Sequence, residues 1–450
     1  MGHIADFEHE LRRSSSPRLA RWHKVDLHNH SPASRTDYNY KQPDAIDKIA
    51  DSINKNDLSI VMFADHHTLL DVASAQALSE KTHKLILRGT EFNVFVDAFG
   101  KPEGKVGKEL YFHLLVGFDP SAAEAPEYWL THIKRQCRET ERVSGDKTIV
   151  GLDAPIERLV EILKGANAIV VPAHLHSTRD AYRSRSIDVI YNDPAFLSLA
   201  RGCFTALEVT NPKTAAFFDG KHKETEYLYK TCVQSSDSHE PGNLGWRPTY
   251  VQMESPDYAQ LKAGLELPFR CSLERPPEPL SSIVGMHVQG QFLRDLWLSF
   301  SPYCNVFIGI KGSGKTSALE CLRFALGADV PANRKDSVNS HLNTILGTGG
   351  KVTVLLKRVD GAKVLVERSM ADRHFVVWFE EDRCEKFSNP EGLLFPTYIL
   401  GWHEIEQAAE DTNLRRLYMD TIADKEQVRA IEAENVPPTV EGWVAAAGSC

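Results

Sequence analysis

Short apolar runs alternate with amphipathic stretches between about residues 25 and 250. The runs have the length and β-branched content of buried strands, whereas stretches such as "PDAIDKIADSINKN" and "PIERLVEILKGAN" repeat apolar residues at helical spacing. Strands that alternate with helices form a parallel sheet or barrel with the helices outside, so this part of the chain is predicted to be α/β. The predicted strands are "KVDLH", "LSIVMFAD", "LILRGTEF", "YFHLLVGF", "AIVVPAH", "ALEVT" and "TCVQSSDSH".

A second pattern follows the segment "LERPPEPLSS", whose prolines interrupt regular structure and indicate a linker. The run "NVFI" is predicted to be a strand that leads through a glycine-rich turn into the helix "SALECLRFALG". Three later runs, "KVTVLLKRV", "AKVLVERS" and "HFVVWFEE", predict a β-meander with hairpin turns. The predicted divisions are a leader at 1–23, a first domain at 24–272, a linker at 273–283, a second domain at 284–425, and a helix start with a tail at 426–450.

The length of 450 residues allows two or three domains, and the apolar and charged fractions of 42% and 25% are ordinary for globular proteins. No apolar run is long enough to span a bilayer, and the N-terminus lacks the apolar stretch of a secretory signal. The 8 cysteines are scattered without a C-x-x-C pair, which favours a reducing cytoplasm over a disulfide framework or a zinc ribbon. We therefore expect a cytoplasmic protein without membrane contact.

Charge is distributed unevenly along the chain. The formal net charge is −9, and residues 401–450 hold 10 acidic and 4 basic side chains, so most of the acidic excess lies at that end. The basic footprint that nucleic-acid-binding domains usually show is absent overall. A local candidate is "HSTRDAYRSRS", although a solvated surface loop explains the same residues equally well. Its arginines are Arg179, Arg183 and Arg185.

The stretch "VDLHNHSPAS" ends a predicted strand with two histidines, His28 and His30. Side chains at positions i and i+2 of a strand point the same way, so both imidazoles can reach one metal ion. Nearly every other predicted strand of the first domain also ends in a metal-ligand residue, and the carboxyl ends of barrel strands meet on one face. The sequence therefore predicts a shared metal site on that face. The further candidates are Asp65, His66, Glu91, His113, His174, Asp237 and His239.

The segments "DLHNHS", "FADHHT", "GTEFNV", "YFHLLVGF", "PAHLHS" and "SSDSHEPGNLG" resemble the motifs of the PHP (polymerase and histidinol phosphatase) family, over about residues 24–250. The resemblance implies a distorted (β/α)7 barrel that binds two or three divalent metal ions. It also implies three groups of ligands: a first metal, a second metal bridged by Glu91, and a third metal. The first group is His28, His30, Glu91 and Asp237; the second adds His113 and His174; the third uses His66 and His239.

Three acidic residues complete what the resemblance implies. Asp37 lies where family members often supply one more ligand, usually a histidine, so the third site departs from the family pattern. Asp65 and Glu208, the latter in "ALEVTN", fit the pattern as auxiliary groups that support the ligands.

The expected chemistry is phosphoester hydrolysis. Imidazole together with carboxylate suits Zn, Mn or Fe, and the sequence does not choose between these metals. Metals set close together can stabilise both the attacking and the leaving oxygen of a phosphate ester. One of the arginines that follow His174 could hold the substrate phosphate. The predicted catalytic residues are Asp65, His66 and Arg179.

The stretch "GIKGSGKT" matches the pattern G-x-x-x-x-G-K-[ST] in full, between a predicted strand and a predicted helix. Successive backbone N–H groups would cradle phosphates at the helix N-terminus. Lys315 would reach the β- and γ-phosphates and Thr316 the Mg²⁺, so ATP with Mg²⁺ is the expected ligand. The predicted nucleotide-binding residues are Gly309, Gly312, Ser313, Gly314, Lys315, Thr316 and Ser317.

Residues 284–425 resemble the N-terminal lobe of SMC-like, ABC-type ATPases. Such heads need a signature motif and an Asp-Glu pair from a second lobe, and this sequence contains neither. Trp402 stands where a Gln that contacts metal and water is expected. The resemblance therefore implies ATP binding, with hydrolysis dependent on the missing lobe, which a longer chain, a homo-oligomer or a partner subunit would supply. The two halves together resemble the TrlF-like PHP-ATPases of bacteria, which are linked to phage defence.

Three classes of function remain open from the sequence. The first is a metal-dependent nuclease, acting on DNA or RNA, that an ATP-binding lobe regulates. The second is a small-molecule phosphatase of the histidinol-phosphatase type. The third is a nucleotide-switched assembly protein without catalysis. The complete ligand set disfavours the third class, and the SMC-like half favours the first, because such heads act on nucleic acid.

Overall fold

The computed structural model divides the chain into two compact units, formed by residues 18–278 and by residues 1–17 with 279–450. Each unit is described by itself. The structure describes residues 3–15, 20–34, 37–95, 111–144, 147–175, 194–277, 281–328, 330, 334–358, 360–379, 383–388, 399, 405–406, 409–413 and 415–416.

The unit at 18–278 is built on a mixed sheet with the strand order β11-β10-β1-β2-β3-β4-β7. Strands β1, β2 and β3 are parallel, whereas β4 runs antiparallel between β3 and β7, and β10 runs antiparallel to β1. The hairpin of β5 and β6 joins the sheet beside β3. The strands are β1 (Arg21–Asn29), β2 (Ile60–His66), β3 (Leu85–Phe95), β4 (Tyr111–Gly117), β5 (Glu139–Ser144), β6 (Lys147–Leu152), β7 (Ile169–Pro172), β8 (Leu207–Glu208), β9 (Cys232–Val233), β10 (Thr249–Met253) and β11 (Cys271–Ser272).

Three further pairings extend this sheet. Leu175 pairs with Val209, β8 is parallel to β9, and Asn29 pairs with Ser238. Backbone pairing thus connects β1, β2, β3, β4, β7, β8 and β9 in cyclic order. The predicted α/β character is confirmed, but β4 is antiparallel. The sequence between the runs "LILRGTEF" and "YFHLLVGF" has no helical pattern, and parallel neighbours need such a crossover.

Helices cover this sheet where apolar residues recur at helical spacing. In α2, Ile49, Ala50 and Ile53 are buried. The side chain of Asp71 caps α3 by accepting a hydrogen bond from Ser74 N (2.9 Å). The helices are α2 (Ala45–Lys55), α3 (Val72–Thr82), α4 (Pro126–Gln136), α5 (Ile156–Gly165), α6 (Pro194–Gly202) and α7 (Tyr258–Leu265). In the described part of the chain, no helix combines the length and apolar character needed to cross a bilayer.

The other unit contains an antiparallel sheet with the order β13-β12-β14-β15-β16-β17. The predicted β-meander is present as β14, β15 and β16. Helices α8 and α9 share one apolar core with this sheet. The elements are α1 (His3–Ser14), β12 (Ser282–Gln289), β13 (Leu296–Ser299), α8 (Lys315–Leu326), α9 (Lys335–Leu346), β14 (Lys351–Lys357), β15 (Lys363–Ser369), β16 (Phe375–Trp378) and β17 (Cys384–Phe387).

Helix α1 corrects the expected leader at 1–23, because it is an element of the unit that contains residues 279–450. Its buried residues Ile4, Phe7 and Leu11 share a cluster with residues of β14 and β15. The helix approaches β12 so closely that a Cβ atom on Gly285 would clash with the side chain of Leu11. The spacing of these three apolar residues predicts an amphipathic helix, and the sequence contains no signal for its distant docking surface.

Candidate metal centre and nucleotide site

His28 and His30 lie at the carboxyl end of β1, and their side chains are fully buried. The end of β1 is fixed by two backbone hydrogen bonds, from Asp237 N to His28 O and from His30 N to Ser238 O, both 2.8 Å long. These bonds bring the segment after β9 next to β1. As a result, Asp237 Oδ1 lies 3.4 Å from His28 Nε2 and 3.3 Å from His30 Nε2.

Glu91, on β3, is the centre of the cluster and is only 1% exposed. Its two carboxylate oxygens contact imidazoles that come from four strand ends. Oε2 lies 3.3 Å from His28 Nε2, 3.4 Å from His30 Nε2 and 3.2 Å from His66 Nδ1. Oε1 is in close contact with His113 Nδ1 and lies 3.9 Å from His174 Nε2. The predicted ligands thus converge on one carboxylate.

Among the described residues, three overlapping groups have ligand atoms within 4.8 Å of one another. They differ from the predicted grouping, since His28 is shared by two groups and His30 by two. His113 reaches the cluster through Glu91 rather than through one of these groups. The groups are His28, His30 and Asp237; His28, Glu91 and His174; and His30, His66 and His239.

Three buried atoms, His30 Nε2, Glu91 Oε1 and His113 Nδ1, contact other atoms of the cluster but form no well-directed hydrogen bond within the described residues. Buried imidazoles and carboxylates that crowd together without well-directed hydrogen bonds fit a site shaped for cations. Imidazole nitrogens and carboxylate oxygens are also the donors that Zn, Mn and Fe accept. The residues present therefore fit divalent metal ions.

Burial and the contacts between imidazoles and carboxylates determine the electrostatics of the cluster. Burial raises the pKa of Glu91, but the neighbouring rings of His113 and His28 outweigh burial and hold that pKa well below its usual value. Burial lowers the pKa of His66 to about 4, because it disfavours the charged ring. His66 is therefore neutral at physiological pH, as a metal-ligating imidazole must be.

Glu208, on β8, contacts two histidines of the cluster, His28 and His174. Its Oε2 lies 3.1 Å from His28 Nδ1, so that the Nε2 of this ring points towards Glu91. Glu208 Oε2 also accepts a hydrogen bond from His174 N (3.2 Å). His174 and Asp237 adopt positive φ angles of 58° and 47°, a strained conformation for these residues that often marks functional sites. The structure places Glu208 where the auxiliary role requires it.

Replacing Glu208 with alanine is expected to lower the affinity for Mn²⁺ or Zn²⁺ about 10–100-fold, because His28 loses the acceptor that fixes its ring. Calorimetric titration of the metal-free chain would measure this change. Glu124→Ala, at an exposed position, is the matched control. Equal affinities in the two variants would show that Glu208 does not orient His28.

Asp65 lies outside these groups, although it is a predicted catalytic residue. Its carboxylate accepts hydrogen bonds from Ser31 N (2.7 Å), Ser31 Oγ (2.6 Å) and Ser34 Oγ (2.6 Å). Both oxygens are therefore engaged in ordering the loop after β1. Ser34 Oγ also lies 3.2 Å from His30 Nδ1, so Asp65 acts on the cluster through Ser34. These contacts indicate a positioning role for Asp65, and its catalytic role stays a prediction.

The remaining predicted ligands line the accessible side of the cluster. His66 is 27%, His239 28%, Asp237 40% and Asp37 49% exposed. Asp37 Oδ2 lies 3.5 Å from His66 Nε2. The predicted phosphate-binding Arg179, with Arg183 and Arg185, lies outside the described residues.

Asp26, which the sequence analysis did not select, anchors the segment that carries Asp237. Its carboxylate accepts hydrogen bonds from Ser236 N (3.0 Å), Ser236 Oγ (2.5 Å) and Gly245 N (2.9 Å). The side chain is completely buried. The sequence does contain a signal for this role, because an acidic residue inside the apolar run "KVDLH" needs buried hydrogen-bond partners.

The glycine-rich loop leads directly into α8, as the sequence predicts. Gly312 and Gly314 adopt φ angles of 84° and 92°, which favour glycine, and α8 begins at Lys315. Lys315 Nζ donates to Gly309 O (2.7 Å) and Ile310 O (2.9 Å), across its own loop. A cavity of about 330 Å³ opens beside the loop. It is lined by Phe292, Gly312, Ser313, Gly314, Lys315, Thr316, Ser317, His341, Thr344 and Ile345.

The predicted strand before this loop is wrong, since residues 305–310 have no regular structure. Val306, Ile308 and Ile310 are 73%, 91% and 82% exposed. A strand needs a hydrogen-bonded neighbour, and none of the described strands pairs with this segment. The apolar alternation typical of a strand is therefore present, but none of the described strands lies beside it.

A family of P-loop proteins matches the second half of the chain: the model of the AAA domain aligns with residues 288–431. The match confirms a P-loop ATPase domain in the C-terminal part, and it covers a minority of the chain. Trp402 and the tail at 426–450 lie outside the described residues. A comparison with curated proteins found no match.

Solved structures align with about half of the chain at low similarity. The lesion-specific endonuclease PfuEndoQ from Pyrococcus furiosus aligns at 14% identity and a TM-score of 0.33, over 55% of this chain and 56% of that one. A Bifidobacterium adolescentis protein described as a metal-dependent phosphoesterase aligns at 18% and 0.33, over 54% and 95%. An amidohydrolase from Chromobacterium violaceum aligns at 15% and 0.33, over 55% and 97%. The chain thus spans little more than half of the endonuclease, and these scores carry no argument about activity.

Proposed function

We propose that the unit at 18–278 is a PHP-type phosphodiesterase that cleaves nucleic acid with two or three divalent ions. The observation that carries this proposal is the convergence of imidazoles and carboxylates on Glu91, where several buried atoms form no well-directed hydrogen bond within the described residues. Divalent ions bound there would supply Lewis-acid stabilisation for the charge that develops on a phosphoester. The cyclic strand pairing supports a distorted (β/α)7 barrel as the scaffold.

The protein's own residues prepare this site in distinct ways. Glu91 supplies a buried negative charge at the centre, and Glu208 fixes the ring of His28. Asp65 orders the loop after β1 through Ser31 and Ser34. A substrate phosphate would approach from the accessible side, where Asp37, His66 and His239 are partly exposed.

The other unit is proposed to bind ATP with Mg²⁺ and to control the nuclease. The cavity beside Lys315 supports nucleotide binding, and Thr316, at the start of α8, would hold Mg²⁺. The exposed apolar segment 305–310 supports completion of the ATPase by another polypeptide or by a second copy that adds a strand beside it. A role in phage defence follows from the resemblance alone and stays a prediction.

The deciding experiment is an activity panel on the purified full chain with Mn²⁺. Labelled single- and double-stranded DNA and RNA would be compared with a set of phosphomonoesters. We expect cleavage of nucleic acid that EDTA and the double variant His28→Ala/His30→Ala both abolish. Activity on monoesters only would replace the nuclease with a small-molecule phosphatase. No hydrolysis of any substrate by metal-loaded protein would favour a non-catalytic assembly role.

A further inference from the structure

Trp246 is a large aromatic side chain that the fold holds in solvent beside the metal cluster. Its side chain is 67% exposed, and its Nε1 donates to the carbonyl oxygen of Ser236 at 3.2 Å. Ser236 immediately precedes the predicted ligand Asp237. A tryptophan side chain stabilises a protein most when it is buried. A tryptophan that is held in solvent next to a candidate catalytic cluster therefore suggests contact with a ligand.

The loop that carries Trp246 is anchored to buried groups. Gly245 N donates to Asp26 Oδ2 (2.9 Å) and to Ser236 Oγ (3.1 Å), and Arg247 N donates to the same hydroxyl (3.3 Å). Gly245 adopts a φ of 80°, which favours glycine at this turn. Because Asp26 also holds Ser236, one buried carboxylate fixes both Trp246 and the segment of Asp237.

Arg247 places a positive charge in the same location. Its guanidinium donates to Thr210 O (2.5 Å) and Val209 O (3.4 Å), directly after Glu208 on β8. Within the described ranges, no carboxylate forms an ion pair with it. Its Cζ lies 6.0 Å from the centroid of the Trp246 ring. Trp246 is therefore hydrogen-bonded to the segment that carries Asp237, and Arg247 to the segment that carries Glu208.

We propose that Trp246 stacks on an unpaired nucleobase of a single-stranded nucleic acid substrate, while Arg247 attracts a neighbouring phosphate. Aromatic rings joined to unpaired cations are the usual means of holding single strands, because every base offers a π-face and every link a negative charge. A rigid ring loses little conformational freedom when it stacks. A base in a duplex has no free face, so the site favours single strands. This inference rests on the proposed nuclease function.

The test compares two forms of the protein, wild type and Trp246→Ala, on two forms of the substrate. Single-stranded oligonucleotides, intact or with one abasic site moved along the strand, would be cleaved by the wild type and by Trp246→Ala with Mn²⁺. On the intact oligonucleotide, Trp246→Ala is expected to raise KM at least about fivefold, with kcat changed less. With the abasic site at the stacking position, wild type and variant should have equal KM values.

Two further variants separate stacking from structural effects. Trp246→Phe should restore most of the lost affinity, because a smaller ring still stacks. Phe269→Ala is the matched control, since Phe269 is equally exposed at 67% in the same unit, and its KM should not change. If the wild type cleaves oligonucleotides but Trp246→Ala has the same effect on intact and abasic strands, the stacking role is rejected and the nuclease stands. If the wild type cleaves no oligonucleotide, the proposed function and this inference both fail.

Discussion

Glu91→Gln is expected to leave the unit at 18–278 folded but to lower phosphodiester cleavage at least about 100-fold, more than loss of a supporting group would. The reason is its central place, since the carboxylate contacts five imidazoles and is 1% exposed. Glutamine preserves the shape of the side chain but removes the charge and one acceptor. The ligand groups then lose the charge that favours divalent cations.

Metal content by mass spectrometry and cleavage of a labelled oligonucleotide with Mn²⁺ would measure both consequences. Circular dichroism would establish that the variant is folded. Glu124→Gln is the matched control, because it makes the same chemical change at an exposed position. Wild-type metal content together with wild-type activity in Glu91→Gln would contradict the metal-centre assignment.

Lys315→Ala is expected to abolish the thermal stabilisation that ATP with Mg²⁺ gives to the unit containing the phosphate-binding loop. A ligand at 100 times its Kd stabilises the native state by about 2.7 kcal/mol. For a unit of this size, that corresponds to an increase of about 5–10 °C in melting temperature. Without Lys315, the loop keeps its backbone N–H groups but loses the cation that would pair with the β- and γ-phosphates.

Differential scanning calorimetry with and without a slowly hydrolysed ATP analogue would measure this shift. Lys311→Ala is the control, because Lys311 is an exposed lysine of the same loop that does not line the cavity. We expect the full increase in Lys311→Ala and none in Lys315→Ala. The same increase in both variants would mean that the nucleotide binds elsewhere.

The sequence predicts which side chains gather around Glu91, because most of them follow an apolar run and the ends of neighbouring strands must meet. Their role as metal ligands stays a prediction. His28, Glu91 and His174 are examples in which local pattern and topology agree. Asp65 is different, since its position predicts a place in the site but only the serines of the loop after β1 reveal what its carboxylate contacts. Hydrogen-bond partners that are distant in sequence leave no periodic signal.

Long-range pairing explains the other differences. The apolar alternation at 305–310 indicates a preference for β-structure, but a strand also depends on a neighbouring strand, and none of the described strands pairs with this segment. The orientation of β4 depends on the connection before it rather than on its own residues. In both cases the residues of a segment determine its preference for β-structure. Other parts of the chain determine whether a strand forms and in which direction it runs.

The docking of α1 on a sheet formed much later in the chain has a consequence for biosynthesis. Strand β12 begins at residue 282, whereas α1 ends at residue 14. At about 5–20 residues per second, the ribosome needs on the order of tens of seconds to supply the helix with its binding surface. During that interval Ile4, Phe7 and Leu11 remain uncovered by this surface, and the nascent chain offers an amphipathic helix to chaperones. The intervening unit can fold meanwhile, and the strands translated after it then cover α1.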